Sequence, residues 1–153
     1  MRRRVILVED DRGQAEAIEK ALVRGFPELV VSRIATESEF RKRLDEMAQS
    51  SPELIIIMDV MLRWADPDPE MELPPEEVQR EKHYRAGLRC ERLLSERAET
   101  RKIPVLLHTI LDPEDLEEQW SSRDNVVYVP KSKTMDPLLE QMQKMLRRPS
   151  PAG

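Results

Sequence analysis

The sequence is poor in cysteine, glycine and histidine, and each shortage removes a class of function. Its 153 residues include one cysteine, Cys90, which excludes an intramolecular disulfide and a metal cage of several thiolates. The four glycines form no glycine-rich loop of the kind that cradles nucleotide phosphates. The two histidines, His83 and His108, lack the spacing of a shared metal site, so we expect neither to bind metal.

Long apolar runs and an excess of basic charge are also missing. No segment approaches the roughly 18 uninterrupted apolar residues that a membrane span requires. The first apolar run stops at Glu9, too early for a signal peptide. The net charge of -5 argues against nucleic acid as the main partner, because phosphate binding needs a basic face. We therefore expect a cytoplasmic protein, in a reducing compartment, that binds neither membranes nor nucleic acid.

Short runs rich in valine and isoleucine alternate with segments of helical periodicity. The apolar runs, typical of buried parallel strands, occupy residues 4–8, 29–35, 54–60, 103–110 and 126–130. The spacing of apolar residues predicts helices over 12–25, 37–50, 86–99, 113–122 and 135–146. This alternation predicts an α/β fold, with a doubly wound five-stranded parallel sheet flanked by five helices. We interpret Asp11 as a cap or a surface acid of the first helix.

The stretch 63–85 departs from the alternation. Prolines forbid a regular element across 66–75, and seven acidic residues make the stretch strongly negative. A helix can begin after Pro75, because proline is tolerated in the first turn of a helix. We interpret 63–85 as an acidic, proline-rich insertion that docks a partner, within one domain over 1–148 that a disordered tail at 149–153 follows.

Polar residues stand at the ends of four of the predicted strands. Glu9 and Asp10 follow the first strand, and Asp59 ends the third. Thr109 ends the fourth strand and Lys131 follows the fifth. Because open parallel sheets place their functional groups at the carboxyl ends of their strands, we expect these five side chains to converge on one edge.

Such a set suits Mg2+-assisted transfer of a phosphoryl group onto a carboxylate. Asp59 can act as the nucleophile and form an acyl phosphate. This reaction brings the Asp59 carboxylate and the negatively charged phosphoryl group together, so it needs a cation. Asp10 with Glu9 can hold Mg2+, which prefers one or two carboxylates plus water and phosphate oxygens. Lys131 can neutralise another phosphate oxygen, and Thr109 can donate a hydrogen bond. Each residue alone also fits a structural role, since acids at strand ends often cap helices.

These motifs resemble the response-regulator receiver domain of two-component signalling, over about residues 1–148. The matching segments are Val-Ile-Leu-Val-Glu9-Asp10-Asp11, Ile-Ile-Ile-Met-Asp59-Val-Met61-Leu, Leu-His-Thr109 and Tyr128-Val-Pro-Lys131-Ser. The resemblance implies a flavodoxin-like fold of receiver type. It also implies that a histidine kinase or phosphotransfer protein delivers a phosphoryl group to Asp59.

The resemblance further assigns roles to the surrounding residues. It implies that Mg2+ is bound by Glu9, Asp10, Asp59 and the backbone carbonyl of Met61. It implies that Thr109 moves toward the phosphate and that Tyr128 turns inward as a switch, which changes the affinity for an unknown downstream protein. The resemblance also implies that the protein catalyses its own Mg2+-dependent phosphorylation and dephosphorylation and is not a metabolic enzyme. The sequence leaves open whether the chain forms a homodimer.

Three departures from the receiver pattern stand out. The interval between Asp59 and Thr109 is longer, and the excess falls in 63–85. Arg63 replaces the proline usually found four residues after the phosphoacceptor. Ser132 replaces the proline that usually follows the lysine. None of these changes removes a group that the chemistry requires.

The motifs favour a stand-alone receiver, with no output domain of its own, over three other classes. The first alternative is a receiver-like interaction module that works without phosphorylation, which the altered loop after Asp59 favours. The second is an aspartate-nucleophile phosphohydrolase, which usually has a second aspartate where this chain has Met61. Nucleotide binding ranks lowest, because the chain lacks a phosphate-binding glycine loop.

Overall fold

A single parallel sheet organises the protein. The computed structural model describes residues 3–50, 53–70, 73–116 and 124–147. Its strands are β1 (Arg4–Val8), β2 (Val30–Ile34), β3 (Leu54–Met58), β4 (Val105–Thr109) and β5 (Val126–Pro130). They pair in the order β2-β1-β3-β4-β5, and every pair is parallel. This confirms the predicted doubly wound α/β fold.

Helices cover both faces of the sheet. They are α1 (Arg12–Gly25), α2 (Glu37–Lys42), α3 (Leu44–Ser50), α4 (Glu76–Glu81), α5 (Ala86–Ser95), α6 (Ala98–Arg101), α7 (Pro113–Leu116) and α8 (Asp136–Arg147), with a 3-10 helix at Lys82–Arg85. The Asp11 carboxylate caps α1 by accepting from the Gln14 N–H at 2.9 Å, as predicted. No helix in the described ranges is long and apolar enough to cross a membrane.

Two predicted helices are each divided in the structure. Residues 37–50 form α2 and α3, because Arg43 leaves helical geometry with φ -100° and ψ 7°. Residues 86–99 likewise form α5 and then the short α6. Phe40 and Met47 are buried on either side of the Arg43 break, so apolar spacing alone could not reveal it. The predicted helix 113–122 is seen as α7 to Leu116, and its remainder and the 149–153 tail lie outside the described residues.

Alternate strand residues build two separate cores. Ile6, Ile56 and Leu107 face the side covered by α2, α3, α5 and α7, where they meet residues such as Phe40 and Cys90. The intervening strand positions pack with α1 and α8 on the other side, through Val5, Leu7, Ile55, Ile57, Leu106, Ile18, Leu22, Leu138 and Met142. The central strands β1, β3 and β4 are thus buried on both faces, which explains their continuous apolar sequences.

The stretch 63–85 is folded against the domain. Its described residues before Pro75 hold no helix or strand, as predicted, and α4 begins directly after Pro75. Val78 of α4 is buried, and the Leu62 N–H donates to the His83 carbonyl at 3.1 Å. The Trp64 ring of this stretch lies 5.5 Å from the Arg41 guanidinium carbon of α2.

A buried ion pair joins this stretch to the domain. Arg89 of α5 is 2% exposed and donates two hydrogen bonds, at 2.9 and 2.7 Å, to the fully buried Glu37 carboxylate. The same guanidinium donates to Glu81 at 3.3 Å and to the Lys82 carbonyl at 2.7 Å. Arg41 donates to Glu37 as well, at 2.9 Å. Every charge in this group is therefore partnered, which a buried charge requires.

Candidate functional site

The carboxyl ends of β1 and β3 bring three acids together. The Asp59 N–H donates to the Val8 carbonyl at 2.9 Å, which fixes Asp59 beside the end of β1. Glu9 is 2% exposed and Asp59 is 6% exposed, while Asp10 is half-buried. Each of the three acids contributes a carboxylate oxygen to a group whose members all lie within 4.8 Å of one another. This arrangement of hard oxygen donors is of the kind that Mg2+ prefers.

Lys131 completes this group from the end of β5. Its Nζ donates to Asp59 Oδ2 at 3.0 Å and to the two Glu9 carboxylate oxygens at 3.2 and 3.3 Å. The Lys131 backbone N–H donates to the Thr109 carbonyl at 2.9 Å, which extends the β4–β5 pairing by one residue. A fourth contact runs from Nζ to Gln14 Oε1 at 2.5 Å, in the first turn of α1.

The close packing of the site acids and Lys131 shifts their pKa values. Burial raises the pKa of Glu9 to about 8. A hydrogen bond with Asp59 and the charge of Asp59 act in the same direction, whereas Lys131 opposes them. Burial disfavours the charged form of Lys131, but the Asp59 and Glu9 carboxylates outweigh it and raise the Lys131 pKa. A cation bound among these acids would lower the Glu9 pKa again, because a nearby positive charge favours the carboxylate form.

Both oxygens of the Asp59 carboxylate are oriented by the surrounding chain. Oδ1 accepts from the Val60 N–H at 2.7 Å, with the Met61 N–H further away at 3.4 Å, and Oδ2 accepts from Lys131. The Gly87 N–H at the start of α5 donates to the Val60 carbonyl at 2.8 Å. Helix α5 therefore holds the backbone that follows Asp59.

Thr109 lies at the end of β4 and is connected to Tyr128 through Leu111. Thr109 is fully buried, and its Oγ1 accepts from the Leu111 N–H at 3.2 Å. The half-buried Tyr128 donates its hydroxyl hydrogen bond to the Leu111 carbonyl at 2.6 Å. Next to Thr109, burial and the nearby Lys131 charge lower the pKa of His108 to about 4, so this imidazole is neutral at pH 7.

The structure also reveals site contacts that sequence reasoning missed. Gln14 reaches Lys131, and Arg33 of β2 donates to the Glu9 carbonyl at 2.9 Å and to the Asp10 carbonyl at 3.1 Å. A glutamine and an arginine with no motif of their own carried no signal in the sequence. The predicted Glu9, Asp10, Asp59 and Lys131 do come together, and their chemical roles stay predictions.

Comparison with known proteins supports the fold through structure and not through sequence. No family model matches the chain, and no curated protein matches it in sequence. Solved structures of receiver domains match over nearly the whole chain. One is the signal receiver domain of a DNA-binding response regulator from Colwellia psychrerythraea 34H, with TM-score 0.68 and 13% identity over 95% of this chain and 99% of that one.

Two other structures give the same result. A response regulator receiver domain from Rhodospirillum rubrum has TM-score 0.64 and 19% identity, covering 98% of this chain and 99% of that one. The chemotaxis response regulator CheY4 of Vibrio cholerae has TM-score 0.63 and 17% identity, covering 94% of this chain and 98% of that one. The chain therefore has the flavodoxin-like fold of response-regulator receiver domains, as the motif resemblance predicted.

Proposed function

We propose that the protein is a response-regulator receiver that accepts a phosphoryl group on Asp59 and thereby switches its binding to other proteins. The observation that carries the proposal is the contact of Lys131 Nζ with Asp59 Oδ2 at 3.0 Å, in a buried group that also contains Glu9 and Asp10. These four residues follow the carboxyl ends of three strands, β1, β3 and β5, where parallel sheets place functional groups.

The reaction on Asp59 is a substitution at phosphorus. An Asp59 carboxylate oxygen forms the new P–O bond while the P–N bond to the donor histidine breaks, and the released imidazole takes its proton from water. With a small acyl phosphate, the bond that breaks is the P–O bond, and a carboxylate leaves. Dephosphorylation by water restores the Asp59 carboxylate and releases inorganic phosphate. The resting contact with Lys131 positions an ammonium for the charge on the transferred group.

The acids at the site fit a magnesium ion. Asp10, Glu9 and Asp59 would hold it with the backbone carbonyl of Met61, as the receiver resemblance implies. When bound, Mg2+ supplies positive charge between the carboxylate and the phosphoryl oxygens. The protein's own contribution is to bury and orient the oxygens, because Asp59 and Glu9 are nearly inaccessible to solvent.

The contacts of Thr109 support a switch that runs to Tyr128. If the Thr109 hydroxyl turns to a phosphoryl oxygen on Asp59, it gives up its present position as acceptor for the Leu111 N–H. Leu111 also holds the Tyr128 hydroxyl through its carbonyl, so movement of this loop releases the ring. Phosphorylation of Asp59 would thus shift the equilibrium between two conformations of the loop that contains Leu111.

The partners that this function requires are proteins. A histidine kinase or a phosphotransfer protein would supply the phosphoryl group, and a separate downstream protein would read the switch. We place the protein in the cytoplasm and expect it to act without binding nucleic acid. Acting as a homodimer is compatible with this function.

Intact-mass spectrometry tests the proposal. The protein is incubated with acetyl phosphate, with Mg2+ or with a chelator, beside Asp59→Asn as the matched control. We expect a gain of one phosphoryl group that needs both Mg2+ and Asp59. A folded protein that gains no mass with Mg2+, or an Asp59→Asn variant that gains as much as the wild type, would contradict the proposed function.

One observation favours an alternative, a receiver-like interaction module that works without phosphorylation. Arg63 and Arg33 already contact Asp10 and its backbone carbonyl in the resting protein, so part of the site is ordered without a phosphoryl group. Under this alternative Asp59→Asn retains every partner, whereas the receiver function requires a partner whose affinity changes on phosphorylation.

A further inference from the structure

The first residue of the 63–85 stretch contacts the metal-site acid Asp10. The backbone N–H of Arg63 donates to Asp10 Oδ2 at 3.1 Å, across 53 positions of sequence. The Arg63 guanidinium adds a longer bond, at 3.3 Å, to the Asp10 backbone carbonyl. In the described residues Asp10 Oδ1 has no hydrogen-bond partner, so the contact fixes one oxygen and leaves the other for a ligand.

The residue type at position 63 decides whether this contact can exist. Every residue except proline carries a backbone N–H, and position 63 is an arginine. The donor directed at Asp10 therefore belongs to the backbone and does not depend on the arginine side chain.

Arg63 is itself held on two sides, so its N–H is a fixed donor. Its carbonyl accepts from the Glu37 N–H at 3.0 Å, at the start of α2. Its guanidinium binds the Asp66 carboxylate at 3.0 and 2.7 Å. Glu37 is anchored in turn by the buried Arg89. A chain of contacts thus runs from a buried ion pair to the Asp10 carboxylate.

We propose that the backbone N–H of Arg63 is a positioning group that orients Asp10 for the divalent cation. The proposal rests on the proposed function, because it assumes that Asp10 binds the metal. A hydrogen bond to a ligating carboxylate fixes its orientation, and loss of such a bond typically lowers metal affinity about 10- to 100-fold. The 63–85 stretch then contributes to the site itself, in addition to any partner that it docks.

Two substitutions at one position separate the backbone from the side chain. Arg63→Pro removes the N–H and the guanidinium, whereas Arg63→Ala removes only the guanidinium. Titration calorimetry with MgCl2 on the full chain gives the dissociation constant of each. We expect Arg63→Pro to weaken Mg2+ binding at least about 10-fold and Arg63→Ala to stay within about 2-fold of the wild type. Equal binding by Arg63→Pro and the wild type, or equal weakening by both variants, would overturn the proposal.

A second measurement covers the case in which Arg63→Pro fails to fold. Amide hydrogen exchange at Arg63 is followed by NMR in the wild type and in Asp10→Ala. We expect the Arg63 N–H to be protected in the wild type and to exchange faster in Asp10→Ala, and unchanged exchange would refute the contact. Failure of the wild type to bind Mg2+ at all would instead count against the proposed function, which keeps the two failures distinct.

Discussion

Replacing Gly87 by alanine should destabilise the protein and disturb the backbone at Asp59. A Cβ added to Gly87 would lie 2.1 Å from the Asp59 carbonyl oxygen, 2.7 Å from the Val60 Cα and 2.9 Å from the Asp59 carbonyl carbon. All three separations are below the 3.0 Å that Cβ atoms tolerate, and all three partners are backbone atoms. Helix α5 or the segment after β3 must therefore move by close to 1 Å.

The expected cost follows from two opposing contributions. Overpacking a well-filled interior typically costs about 1–3 kcal/mol, while alanine gains about 1 kcal/mol over glycine within a helix. Because all three short contacts are with backbone atoms, the overpacking cost lies at the upper end of its range. We therefore expect Gly87→Ala to lower the free energy of unfolding by about 2 kcal/mol, measured by equilibrium urea denaturation. Movement of Asp59 away from Lys131 should also slow phosphorylation by acetyl phosphate.

Gly25→Ala is the matched control. Gly25 also lies in a helix, α1, and a Cβ there meets only the Leu139 side chain at an ordinary 3.7 Å. This variant should equal the wild type in stability or exceed it by up to about 1 kcal/mol. A Gly87→Ala protein as stable as the wild type would refute the argument that α5 packs directly on the phosphoacceptor loop.

Three further perturbations probe the buried ion pair, the site charge and the switch contact. Arg89→Ala should lower the free energy of unfolding by about 3 kcal/mol, measured by urea titration. This value is at the low end of the usual cost of breaking a buried ion pair, because Glu37 retains its ion pair with Arg41. In chelator, stability should fall as pH rises from 4.5 through 8, because folding raises the pKa of Glu9 to about 8 and so favours its protonated form. Urea midpoints across this range should show a slope of at most about 1.4 kcal/mol per pH unit from this group. Tyr128→Phe should cost about 1 kcal/mol in thermal unfolding, because the Leu111 carbonyl loses its donor.

The first two of these predictions have control variants, and each of the three has an outcome that would contradict it. Arg12→Ala breaks an exposed pair with Glu16, whose side chains are 83% and 57% exposed, and should change stability by less than about 1 kcal/mol. A loss as large as that of Arg89→Ala would contradict the role given to burial. Glu9→Gln should flatten the pH dependence, and an unchanged slope would assign it to another group. A Tyr128→Phe protein as stable as the wild type would show that the hydroxyl contact contributes nothing.

Much of the fold was predictable because burial leaves a direct record in the sequence. Strands covered on both faces favour apolar residues at successive positions, and Leu54–Met58 shows this over its whole length. The site acids were predictable for a related reason. A charged residue such as Asp59 at the end of such a run stands out against its neighbours, and the parallel topology brings these ends together.

The remaining contacts depend on pairings that a single sequence does not encode visibly. Arg89 and Glu37 are 52 positions apart and look like members of solvated helix faces, yet both are buried because each satisfies the other. The Arg63 contact to Asp10 is made by a backbone N–H, which every residue except proline possesses. The sequence shows only that position 63 is not a proline. The hydrogen bond itself can be recognised only once the folded loop brings Arg63 next to Asp10.

The most direct test of the central claim is to identify the phosphorylated residue. Protein treated with acetyl phosphate and Mg2+ is reduced with borohydride, which converts an aspartyl phosphate to homoserine, and the peptides are then mapped by mass spectrometry. We predict homoserine at position 59 alone, and none in the chelator control. Homoserine at another position, or none at all in folded protein, would contradict the claim that Asp59 is the phosphoacceptor.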